Sequence, residues 1–109
     1  MEPMGVDETV LNEVVRRVLT VARPDRIILF GSAANGQMTK DSDLDLLIVE
    51  PAPANTRDRS VAIRRAVGDV PYPVDVIVMS SERFEETKNI IGGIAYPARK
   101  YGRVLYEAA

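Results

Sequence analysis

Two short apolar runs decide most of what this chain can become. The first, Arg26 to Phe30, ends in Gly31-Ser32; after a gap of ten residues, Asp43-Leu44-Asp45 opens the second, which runs to Val49. Both runs are short and rich in β-branched or other apolar residues, so both read as strands. Successive side chains on a strand point to opposite faces. Asp43 and Asp45 therefore share one face, and Leu44, Leu46 and Ile48 share the other, toward a core. A small-residue turn then sits beside two carboxylates that point the same way.

That pairing has a chemical consequence. Two carboxylates on one face, with nothing basic between them, raise each other's pKa values or bind a cation. Hard Mg²⁺ favours one or two carboxylates, waters and substrate phosphates. Gly31 lets the chain turn and lets backbone N–H groups approach a ligand, while Ser32 offers a small hydroxyl to a phosphate oxygen. A third acid, Asp75, interrupts the apolar run Val74-Asp75-Val76-Ile77-Val78, where an unpaired buried carboxylate would be costly. Each signal alone has a bland reading: two surface acids on a strand edge, a strand-ending turn, a half-exposed strand residue. The three together suit a nucleoside triphosphate with its metal.

The remaining pattern is one of alternating helices and strands. Asp7 or Thr9 caps a first helix running to about Ala22, stopped by Pro24, with Val10, Leu11, Val14, Val15, Val18 and Leu19 at helical spacing. Pro51 and Pro53 end the Asp43 strand. Asn55 or Thr56 caps a second helix that Gly68 closes. In it Val61, Ala62, Ala66 and Val67 are expected inward, and Arg57, Arg59, Arg64 and Arg65 outward as a solvated face. Val74 to Met79 reads as a third strand. Ser80 or Ser81 opens a third helix expected to end near Gly92-Gly93. Pro97 starts a short helical turn, Gly102 ends it, and Arg103 to Glu107 is a final strand. No repeat, low-complexity tract or linker interrupts this order.

Composition narrows the chemistry. The chain of 109 residues has no His and no Cys. Thiolate and imidazole catalysis, disulfides and the usual structural zinc are thereby excluded, and any metal must be held by oxygen. A net charge of −2 gives no basic excess for tight, sequence-independent nucleic-acid binding. No apolar run approaches membrane-spanning length, and a cytoplasmic protein of one domain, residues 1–109, is expected. Such a length leaves no room for a separate substrate domain, so a selecting partner is expected from another chain or subunit.

The stretch Leu29-Phe-Gly-Ser-Ala-Ala-Asn-Gly-Gln-Met-Thr-Lys-Asp-Ser-Asp-Leu-Asp-Leu-Leu-Ile-Val resembles the signature of the polymerase β-type nucleotidyltransferase superfamily: Gly-Ser, ten residues, Asp-x-Asp. The small size resembles its minimal nucleotidyltransferase branch. The resemblance implies an α+β, layered polymerase β-like fold, a mixed sheet with helices mainly on one face. It implies that Gly31 and Ser32 bind the triphosphate of ATP. Asp43, Asp45 and Asp75 would be the catalytic and metal-binding acids, holding two ions of Mg²⁺ or Mn²⁺. It also implies a partner, a cognate HEPN-type RNase toxin, onto whose tyrosine hydroxyl AMP is transferred, with the chain acting as antitoxin in a homo- or hetero-oligomer. One departure stands out. Many members carry Arg or Tyr just after Gly-Ser and Arg before the next Gly; here Ala33, Ala34 and Asn35 stand there, and a nearby cation for phosphate is missing. The alternatives are a module that neutralises its partner by contact alone and an enzyme acting on a small molecule.

Overall fold

The computed structural model describes residues 7–31, 34 and 43–108. The order is α1 (Glu8–Val18), β1 (Arg26–Phe30), β2 (Leu44–Glu50), α2 (Thr56–Val67), β3 (Val74–Ser80), α3 (Ser81–Thr87), α4 (Ala95–Tyr101) and β4 (Arg103–Glu107). The strands form one mixed sheet in the order β3-β2-β1-β4. β1 runs antiparallel to both β2 and β4, and β2 runs parallel to β3. The β2–α2–β3 crossover explains the parallel pair, because a parallel connection needs a long return.

β2 sits near the centre and is apolar on both faces, as a strand covered on both sides should be. Leu44, Leu46 and Ile48 join Leu11, Val14 and Val18 of α1 and Ile63 and Val67 of α2 in one core. Leu47 and Val49 face the other way, against Phe84 of α3 and Ala95 and Ala98 of α4. The two long helices thus cover one face. The two seven-residue helices α3 and α4 cover part of the other. The acidic face of the Asp43 strand therefore becomes a second core further along. Small residues allow this: at Gly102 a Cβ would collide with the carbonyl of Ala98 and with Cγ2 of Ile28.

Capping fixes several boundaries. The Asp7 carboxylate accepts from the Thr9 amide, the Asn55 side chain from Asp58, and the Ser80 hydroxyl from Arg83, each satisfying an orphan donor of a first turn. Two helices are shorter than their apolar patterns suggest. α1 ends at Val18 and gives way to turns, with the Ala22 amide still bonded to the Val18 carbonyl and the Thr20 hydroxyl donating to the Arg17 carbonyl. α3 ends at Thr87, well before Gly92.

The inward face of α2 also differs from expectation. Ile63 and Val67 are buried, whereas Val61 is 46% exposed. Residues two apart on a helix lie on nearly opposite sides, so Val61 and Ile63 cannot share a face. Arg59 lies four residues before Ile63 and falls on the inward stripe. Its guanidinium donates twice to the buried carboxylate of Glu50, at 3.1 and 2.9 Å, and once to the Val21 carbonyl. So Arg59 leaves the expected solvated face, while Arg57, Arg64 and Arg65 stay exposed. We expect Arg59→Met to leave Glu50 buried and unpaired and to lower unfolding free energy by about 2 kcal/mol, below the value for a fully buried pair because Arg59 is partly exposed. Chemical denaturation measures it.

Candidate active site

β1 and β2 bring the predicted site together at one end of the sheet. Their antiparallel register sets Phe30 opposite Asp45, so the residue after β1, Gly31, arrives beside the Asp45 carboxylate. Gly31 has φ +77°, and a Cβ there would overlap Oδ2 of Asp45. Only glycine satisfies both the left-handed backbone and the close approach. The Ala34 amide donates to the Gly31 carbonyl at 3.2 Å and closes the turn. Ser32, the second predicted phosphate-binding residue, lies outside the described residues, as do Ala33 and Asn35.

The parallel register of β2 and β3 sets Asp45 directly opposite Asp75. Their side chains leave the same face of the sheet, from strands about 4.8 Å apart. Asp43 lies just before β2, two positions from Asp45, and both are partly buried; Asp75 is exposed. All three acids stand on the face that α3 and α4 cover further along. Phe30, Asp45 and Asp75 lie side by side at one end of that face.

The electrostatics follow from this placement. Partial burial raises the Asp45 pKa above the ordinary aspartate value, and the charges of Asp75 and then Asp43 raise it further. Among the described residues, no hydrogen bond or salt bridge to a protein group offsets the carboxylates of Asp43, Asp45 and Asp75. Nor do the described residues hold a ready-made cage of three or more acid, His or Cys side chains. The oxygen-only donor set and the mutual repulsion still fit a divalent hard cation: a positive charge between Asp45 and its neighbours relieves what raises that pKa.

Of the residues singled out in the sequence, Gly31, Asp45 and Asp75 are brought together by the strand registers. The sequence reading missed that Gly31 is required by the Asp45 side chain itself, which only the β1–β2 register reveals. Arg64 and Arg65 are exposed on α2, as expected of a solvated helix face. An Arg64→Glu, Arg65→Glu variant is expected to keep its nucleotide affinity and to change stability by no more than about 0.5 kcal/mol. Calorimetry with an ATP analogue and thermal melts check both halves.

Residues 8–96 match the family model described as the nucleotidyltransferase domain. No curated protein matches the chain. Several solved structures share the fold, among them the following three. A Sulfolobus solfataricus protein described provisionally as a nucleotidyltransferase is 22% identical with a TM-score of 0.63, covering 91% of this chain and 78% of that one. A toxin–antitoxin structure with AMP-PNP is 15% identical with a TM-score of 0.59, over 90% of this chain and 73% of that one. A mutant of the toxin–antitoxin MntA–HpeT, in which two aspartates two positions apart are replaced by glutamates, is 13% identical with a TM-score of 0.58, again over 90% and 73%. The mixed sheet with its helices is the polymerase β-like nucleotidyltransferase fold.

Proposed function

This chain belongs to the nucleotidyltransferase domain family, and we propose that it transfers AMP from ATP to a protein hydroxyl, a tyrosine of a cognate HEPN-type RNase toxin, so acting as that toxin's antitoxin. The observation that carries the reading is the Asp45–Asp75 pair, directly opposite across parallel strands, with the Gly31 turn against Asp45. Two similar folds come from toxin–antitoxin structures, one of them with AMP-PNP. Among the described residues no helix is long and apolar enough to cross a membrane; a cytoplasmic, single-domain protein belongs to the same proposal.

Each residue then has a task. The Gly31-Ser32 turn offers backbone amides to the triphosphate at a strand end. Asp43, Asp45 and Asp75 would hold the divalent ions, Mg²⁺ or Mn²⁺, which when bound neutralise charge on the phosphates and acidify the acceptor hydroxyl. Asp75, the most exposed of the three, accepts the hydroxyl proton. The acceptor oxygen bonds to the α-phosphorus, the bond from that phosphorus to the β-bridging oxygen breaks, and pyrophosphate leaves. Positioning supplies most of the acceleration in such a reaction.

The position of the label decides between reactions. ATP labelled at the α-phosphate is expected to label the toxin, and ATP labelled at the γ-phosphate to leave it unlabelled. Labelling from the γ-position would make the chain a kinase. No labelling from either, with the toxin still inhibited, would leave contact alone as the means of neutralisation.

A further inference from the structure

We propose that the free edge of β3 is a docking rail on which the acceptor protein adds an extended segment as a fifth strand, carrying its hydroxyl to Asp75. The proposal rests on the transfer function above and names how the acceptor is held.

β3 is an edge strand. In a parallel ladder, alternate residues turn both backbone groups toward the neighbouring strand. The Leu44 amide donates to the Pro73 carbonyl at 2.8 Å, and this fixes the phase. Pro73, Asp75, Ile77 and Met79 face β2; Val74, Val76 and Val78 turn their N–H and C=O groups to the free edge. Among the described residues nothing bonds to those outward groups. The side chains of Val74 and Val78 are buried, so the outward backbone groups are held in a rigid row.

The two edges of the sheet are treated differently. At β4, Arg103 pairs with Glu8 and Glu107 with Arg26, and the β1–β4 register shifts between Ile27 and Ile28. Charges and irregular pairing are the usual means of blunting an edge. The seven residues of β3 contain no Lys, Arg, Pro or Gly, their pairing to β2 is regular, and Asp75 is their one charge. An unblunted edge pairs with an extended segment through main-chain hydrogen bonds.

The occupant follows from the site. A strand added about 4.8 Å beyond β3 places a residue opposite Asp75 with its side chain on the acidic face, within reach of that carboxylate. A second copy of this chain is a poorer fit. Two β3 edges meeting alone would cover a strip about 23 Å long and one strand wide, well short of the roughly 800 Å² per partner that stable dimers need. A substrate segment must leave after transfer, and a narrow contact suits that.

The probe is a blocked peptide of alternating threonine and valine with one central tyrosine. Added to the ¹⁵N-labelled full-length chain, it is expected to shift and protect the outward amides of Val74, Val76 and Val78; a peptide N-methylated along one edge should not. This arm needs no nucleotide, so it stands whether or not transfer occurs. With ATP and Mg²⁺, the peptide should accept AMP at least about tenfold faster than N-acetyltyrosine amide. Val76→Pro removes one outward donor and no ladder bond; it should preserve binding of an ATP analogue and reduce the peptide's advantage to that of the small acceptor. Unshifted outward amides at millimolar peptide overturn the proposal. So does protection that rises with protein concentration alone, which would assign the edge to a second copy. Transfer to the peptide that is indifferent to Val76→Pro overturns it too, while leaving the enzymatic reading in place.

Discussion

Asp45→Asn is expected to reduce AMP transfer by at least about a thousandfold while making the metal-free protein more stable. An amide keeps the size of the carboxylate but cannot balance a metal's charge. The stability gain has its own cause. In the folded chain, burial and the charges of Asp75 and Asp43 raise the Asp45 pKa above its ordinary value of 3.8. A carboxylate with a raised folded pKa destabilises the fold fully above that pKa, and the penalty disappears as pH falls toward the unfolded value. The variant's advantage should therefore be largest near neutral pH and should shrink toward zero as pH approaches 3.8. A higher Tm for the metal-free variant is the expected direction. Adding Mg²⁺ with an ATP analogue should reverse the order, stabilising the wild type more than the variant. Melts of both proteins across pH, with and without ligand, measure all of this. A variant no more stable than wild type without metal would mean that neither burial nor the neighbouring acids disfavour the Asp45 carboxylate.

Gly31→Ala is expected to damage both fold and function. The backbone at Gly31 is left-handed, and the added Cβ would overlap the Asp45 carboxylate. Strain of this kind costs of the order of 1–3 kcal/mol. Relief by swinging Asp45 or the turn away would separate phosphate cradle from acid, and a displacement of about 1 Å can cost about a hundredfold in rate. A double-mutant cycle isolates the contact. In an Asp45→Ala background the overlapping atoms are gone, so Gly31→Ala should cost only its backbone strain. Neighbouring residues that share a contact are non-additive, and additive costs here would mean that Gly31 and Asp45 do not meet.

Much of this was legible in the sequence because the strands are short and sharply bounded. Arg26–Phe30 and Arg103–Glu107 appear at the positions expected, each fenced by Pro, Gly or a change to polar residues. The shared face of Asp43 and Asp45 was legible for the same reason, because the strand period of two puts them on one side. What required three dimensions was register. The sequence places Asp45 and Asp75 on strands of their own, but nothing local says that residue 45 pairs with residue 75 rather than 77. The same limit hid the contact of Gly31 with Asp45. On α2 the signal was present but its phase was misjudged. Arg59, Ile63 and Val67 follow a spacing of four, and Glu50 ends an otherwise apolar run, so an inward Arg meeting a buried Glu was readable. Gly31 and the Asp45–Asp75 pair meet through the β1–β2 and β2–β3 registers.

The most direct measurement is the intact mass of the cognate toxin purified after co-expression with this chain. The account predicts a toxin heavier by whole units of AMP, with the modification on tyrosine, and an unmodified, active toxin when the partner carries Asp45→Asn. An unmodified toxin that is inhibited equally by wild type and Asp45→Asn, in a stable complex, would contradict it.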